Sequence, residues 1–123
     1  MITLPAGTYY VGDPCYCFNC TSWEAIGAQN NGFKNNPMVA TLNGHRLVAL
    51  GTAYGDGRYT DQRGRTYPVD AGLIGAVPVD IIDDDSSYRH QPDCGHEITF
   101  PRDFPCYEEG GRIHIGDIII DTN

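Results

Sequence analysis

Met38-Val39-Ala40-Thr41-Leu42-Asn43-Gly44-His45-Arg46-Leu47-Val48-Ala49-Leu50 decides the fold. Two apolar, β-branched runs flank Asn43-Gly44, the dipeptide best suited to a two-residue hairpin turn with positive φ at both positions. The spacing predicts strands over 38–42 and 46–54. A chain that turns this tightly between extended segments builds an antiparallel sheet.

Working outward, the same grammar recurs. Asp61-Gln62-Arg63-Gly64 suits a type I turn with glycine in the left-handed position, between strands expected at 57–60 and 66–69. Thr8 to Val11 reads as a strand stopped by Gly12-Asp13-Pro14. Leu73 to Val77 and Val79 to Ile82 are short apolar runs around Pro78, and 83–95 is expected as an exposed acidic loop. Glu97 to Phe100, Arg112 to Ile115 and Asp117 to Asp121 complete the strands. Thr21-Ser22-Trp23-Glu24 has capping-box spacing and predicts one short helix, ended by Gly27 and the Asn30-Asn31-Gly32 cluster. Fifteen glycines and eight prolines in 123 residues leave little room for long helices. The expected architecture is therefore mainly β: one domain over 1–123, a compact antiparallel barrel or sandwich with one short helix in the N-terminal half.

Charge narrows the function classes. Sixteen acidic against eight basic side chains give a net charge of -8. Phosphate backbones need clustered cations, so nonspecific nucleic-acid binding is disfavoured, as is an anionic membrane surface. No run approaches the roughly 20 apolar residues of a spanning helix. The start of the chain lacks the basic flank and apolar core of a signal peptide, so the expected compartment is the cytoplasm. The five cysteines are then expected as reduced thiols.

Four chemistries compete. Cys15-Tyr-Cys17-Phe-Asn-Cys20 invites zinc with Cys94, His96 and His90 as distant ligands, although Cys94 and His96 stand only one residue apart. Asp13, Asp56 and Asp70 offer oxygens to a divalent ion, with His90 or His96 handling a proton. That is the layout of a metal-assisted hydrolase or phosphodiesterase acting on a nucleotide signal. No nucleophile elbow, phosphate loop or dinucleotide fingerprint is present. Tyr54-Gly55-Asp56-Gly57-Arg58-Tyr59 instead suggests a binding site without a required cofactor: aromatic faces, one acid, one arginine and backbone amides around two glycines. The fourth reading is a structural interaction domain whose acidic face meets a basic partner.

Gly7 through Tyr16 with its Gly12-Asp13-Pro14-Cys15-Tyr16 element, Trp23, Tyr54-Gly55-Asp56-Gly57-Arg58-Tyr59 and Val69-Asp70-Ala71-Gly72-Leu73-Ile74-Gly75 together resemble a group of small uncharacterised proteins of bacteria and their phages. The two glycine-acid elements also resemble a larger bacterial family of unknown function. The similarity runs from about residue 7 to residue 78. It implies a compact β fold and a phage context, hence host cytoplasm, and brings no catalytic assignment. The function expected is a phage-type accessory or counter-defence binding protein. It would sequester a small polar, nucleotide-like ligand or inhibit a host protein; self-association stays open.

Overall fold

The computed structural model describes all residues, Met1–Asn123. Eleven strands follow in chain order: β1 Ile2–Leu4, β2 Gly7–Gly12, β3 Met38–Leu42, β4 His45–Gly51, β5 Gly57–Asp61, β6 Thr66–Val69, β7 Leu73–Pro78, β8 Gly95–Phe100, β9 Phe104–Glu109, β10 Arg112–Ile115 and β11 Ile118–Asp121. Two helices, α1 Cys20–Ala28 and α2 Ser87–His90, interrupt them. The strands form a six-stranded sheet in the order β1-β9-β10-β11-β5-β6 and a five-stranded sheet in the order β3-β4-β7-β2-β8. Every pairing is antiparallel. The sheets pack face to face as a sandwich rather than closing into a barrel.

The Asn43-Gly44 hairpin forms as expected. Asn43 and Gly44 both take positive φ, 50° and 79°, which matches the twist of the paired strands β3 and β4. The six-stranded sheet alternates in the manner of a half-solvated sheet. Ile113, Ile115, Ile118 and Ile120 point inward and are buried, while Arg112, His114, Ile119 and Asp121 face out. Burying each of those isoleucines stabilises the fold by about 2 kcal/mol.

The five-stranded sheet behaves differently. Val48 and Leu50 of β4, with Tyr9 and Val11 of β2, belong to the core between the sheets. Their neighbours Leu47, Ala49 and Tyr10 belong to a second core on the opposite face. That face is covered by Cys17, Phe18, Ile26, Ile81 and Ile82, contributed by α1 and the irregular segments around it. A sheet buried on both faces needs continuous apolar runs, and Leu47 to Leu50 is such a run.

Several boundaries differ from expectation for local reasons. The N-cap of α1 is Asn19, two residues before Thr21: its Oδ1 accepts from Ser22 N at 2.9 Å. Val79–Ile81 is a 3-10 turn rather than a strand, because Pro78 ends β7. The acidic segment after it is partly interior. Asp83 Oδ2 accepts from Asn19 N at 2.9 Å, Asp85 Oδ1 accepts from Asn19 Nδ2 at 3.3 Å, and Ser86 and Cys94 are buried. The segment also forms α2 and a 3-10 turn at Pro92–Cys94. β4 stops at Gly51, leaving 52–56 as a loop, and β1 and β9 arise where no strand is expected.

Asp61 sets the corner between β5 and β6. Its Oδ1 accepts from Arg63 N at 2.8 Å and Arg65 N at 3.0 Å, and its Oδ2 from Arg65 Nε and Tyr67 Oη, each at 2.7 Å. Burial pushes this carboxyl upward. The Tyr67 hydroxyl, the Arg65 guanidinium and the two backbone donors outweigh that and hold it at about 2.

Side chains also close the sheet edges. Arg46 Nη2 donates to Thr3 O of β1. His96 of β8 donates from Nε2 to Thr66 O of β6 at 2.9 Å, an arrangement that requires the proton on Nε2 because a carbonyl only accepts. β6 further carries Pro68, which offers no N–H.

Candidate functional site

Three turns lie at one end of the sandwich: the segment leaving β2, the β4–β5 loop and the β6–β7 loop. They contain the three sequence elements Gly12-Asp13-Pro14-Cys15-Tyr16, Tyr54-Gly55-Asp56-Gly57 and Val69-Asp70-Ala71-Gly72. Asp13 joins the first to the third. It is fully buried; Oδ2 accepts from Asp70 N at 2.9 Å and Ala71 N at 2.7 Å, and Oδ1 from Cys15 N at 3.0 Å. Burial pushes its carboxyl above the usual carboxylate range despite these donors. Pro14 then starts a 3-10 turn with φ already suited to it.

The second and third elements touch through their backbones. Thr52 N donates to Gly72 O at 3.0 Å, and a Cβ at Gly72 would stand 3.7 Å from the Gly55 Cα. Gly55 has φ +72°, a conformation that costs a side-chain-bearing residue about 1–2 kcal/mol. Its carbonyl accepts from Thr52 Oγ1 at 2.6 Å and from Tyr59 Oη at 2.9 Å. Ala53 N donates to Thr122 Oγ1 at 2.9 Å, tying the loop to the C-terminal segment. The turn is thus held at both ends and at its middle.

What this scaffold presents is clear from exposure. Tyr54 is 76 % exposed, the most exposed aromatic side chain of the protein. Asp56 of the same loop, Arg58 just after it in β5, and Asp70 and Ala71 of the β6–β7 loop are also exposed. Gly57 opens β5 with φ +157°. Tyr59, by contrast, packs its ring on the core and uses its hydroxyl on Gly55, so within the loop its work is support. Of the six residues singled out by sequence, Tyr54, Asp56 and Arg58 face solvent and Gly55, Gly57 and Tyr59 shape the turn.

The residues of the hydrolase layout are not gathered into one centre. Asp13 has both carboxylate oxygens committed to backbone donors, while Asp56 and Asp70 are exposed. No group of three or more His, Cys, Asp or Glu side chains is arranged to hold a metal ion. His90 is exposed on α2, and His96 bridges β8 to β6 with its ring edge-on to Tyr67. His45 opens β4 exposed, and His114 stacks on Tyr107 at 4.4 Å between ring centres. All five cysteines are free thiols. Cys15 and Cys17 lie in the 3-10 turn after Asp13 rather than on a strand. Burial pushes both thiols up, with the Asp13 carboxylate adding to this. Thiolate nucleophiles or ligands are disfavoured there.

The surface hollows do not include this loop. The largest, about 540 Å³, is open and lined by Tyr107, Glu109, Gly110, Arg112, His114 and Ile119. Another of about 420 Å³ lies between Pro5–Tyr9, Gly44–Arg46, Pro78 and Asp80. None is lined by any residue from 52 to 59. The candidate site is an exposed, hydrogen-bonded loop rather than a cleft.

The sequence motif singles out Tyr54 and Asp56 but gives no sign of Thr52, Thr122 or the structural role of Asp13. Thr52 and Thr122 act through a hydroxyl on distant backbone, which leaves no local pattern. Asp13 followed by proline was readable as a turn signal, though not as the anchor of a loop 57 residues away. No helix is long and apolar enough to cross a membrane. Compared with protein-family models, curated proteins and solved structures, this chain finds no match.

Proposed function

We propose that this chain is a binding protein that grips a partner protein through the Tyr54 loop. The observation that carries the reading is the pairing of high exposure with tight restraint: Tyr54 stands 76 % exposed on a turn whose Gly55 carbonyl takes two hydroxyl donors. Exposed tyrosines supply large contact area at low entropic cost, and they are over-represented among residues that dominate interface energies. A turn fixed before encounter loses less freedom on binding. The exposed Asp56, Arg58 and Asp70 would set selectivity by charge matching.

That no hollow is lined by residues 52–59 favours a protein surface over a small enclosed ligand, since small-molecule sites are concave. Strand addition at β1 or β6 is disfavoured because Arg46 and His96 already occupy their carbonyls. In the setting that the motif resemblance implies, such a domain would serve as an accessory or counter-defence protein that inhibits a host protein by occupying it.

The test compares wild type with Tyr54→Ala. Both are immobilised for capture from bacterial extract and screened by thermal shift against nucleotides, sugars and divalent ions. A stoichiometric protein partner retained by wild type and lost with Tyr54→Ala supports the reading. Identical capture by both variants contradicts it. A nucleotide-induced shift abolished by Asp56→Ala would replace it with small-ligand sequestration.

A further inference from the structure

The edge of the five-stranded sheet at β3 is occupied by two side chains. Asn30 Nδ2 donates to Val39 O at 3.0 Å, and Asn30 Oδ1 accepts from Val39 N at 3.0 Å. One residue earlier, Gln29 Nε2 donates to Thr41 O at 3.0 Å, and Gln29 Oε1 accepts from Thr41 N at 2.8 Å. A carboxamide carries one acceptor and a donor in the same plane, as a peptide unit does. Two consecutive carboxamides therefore serve the two edge-facing residues of β3, positions i and i+2, as a neighbouring strand would. Asn30 is fixed in this role: it is 1 % exposed and also donates to Ile26 O at 2.9 Å.

We propose that Gln29 and Asn30 form a surrogate strand that reserves the β3 edge, and that the occupant they displace is β3 of a second copy of this chain. The register supports that occupant. An antiparallel pair with its two-fold axis at Ala40 sets Val39 of one copy opposite Thr41 of the other, twice. The pair would form four backbone hydrogen bonds, on the same four groups per chain that the carboxamides now serve. Two separate chains keep eight such bonds, so the closed edge wins and the chain stays apart. The hydrogen bonds within β3–β4 are untouched by either state, because Val39 and Thr41 direct these groups away from β4. The device resembles the ways in which natural sheets protect an edge, here with amides instead of charge or proline.

Light scattering on the Gln29→Ala/Asn30→Ala double variant tests this. The predicted result is a folded species at twice the monomer mass at concentrations where wild type is monomeric. A folded double variant that stays monomeric up to millimolar concentration overturns the proposal. Adding Thr41→Pro, which removes a donor from the free edge, is predicted to return the mass to that of one chain; a dimer that survives it overturns the proposal as well. Should the double variant fail to fold, Gln29→Ala alone reports on the clamp. Amide exchange at Thr41 is predicted to rise at least ~10-fold, as expected when a hydrogen bond worth about 1.4 kcal/mol is lost. Unchanged exchange at Thr41 overturns the assignment.

Discussion

Asp13 Oδ2 accepts the Ala71 N–H at 2.7 Å, across 58 positions of sequence. With its neighbouring bonds to Asp70 N and Cys15 N, this contact makes one body of two loops that the sequence presents as separate motifs. The β4–β5 loop leans on that body through Gly72.

Replacing Asp13, itself fully buried, leaves three part-buried backbone donors without their acceptor. Asp13→Ala is predicted to destabilise the protein by about 3 kcal/mol, and Asp13→Asn by less, since one oxygen remains. Urea unfolding measures both. Asp13→Ala at wild-type stability would show that the three bonds contribute nothing.

The two buried carboxylates titrate with opposite sign. Asp61 is depressed in the folded state to about 2, so its stabilisation is present above the unfolded carboxylate range and is lost as pH falls from about 4 toward 2. That loss is on the order of 2 kcal/mol. Asp13 is raised, so its folded form holds its proton more tightly and gains stability as pH falls. Thermal melts of wild type and Asp61→Asn from pH 6 to pH 2 separate them. The variant is predicted to lose the Asp61 part of the acid dependence, and parallel curves would contradict the assignment.

Tyr59→Phe keeps the ring on the core and removes only the hydroxyl that reaches Gly55 O. The expected stability change is about 1 kcal/mol or less. Amide exchange in residues 53–57 should nonetheless accelerate, while the rest of β5 is unchanged. Uniform exchange along the segment would show that Thr52 alone fixes the turn.

Gly55→Ala places a side chain at φ +72° and is predicted to cost about 1–2 kcal/mol, with Gly55→Asn costing less because asparagine tolerates this region. Equal stability of the three proteins, measured by chemical denaturation, would mean that the turn can relax into another conformation.

Much of the fold was legible because its chemistry is local. Asn43-Gly44 specifies its hairpin through two residues, and Asp61 with Gly64 specifies the next. That the five-stranded sheet is buried on both faces was not foreseen: Leu47 to Leu50 is a continuous apolar run, but what covers its second face comes from segments distant in sequence. The failures have long-range causes. Asn19 displaces Thr21 as the helix cap because Asp83 and Asp85 hold its own N–H and amide in place. β9 escaped notice because Pro105 breaks its pattern; the proline is tolerated since register with β10 begins only at Cys106. At the site, two glycines around one acid pointed to Tyr54 and its neighbours, whereas Thr52 and Thr122 gave no local sign. Asn30 looked like part of a helix stop and Gln29 drew no notice, and their service to β3 depends on a strand nine or more residues away.

The most direct measurement is the affinity of the captured protein partner for wild type and for Tyr54→Ala, by calorimetry, with the melting temperature of each recorded beside it. An interface anchor of this kind is worth about 2 kcal/mol or more. The expected result is at least a ~30-fold loss of affinity with an unchanged melting temperature, because the Tyr54 side chain is 76 % exposed. Equal affinity of the two proteins for that partner would contradict it.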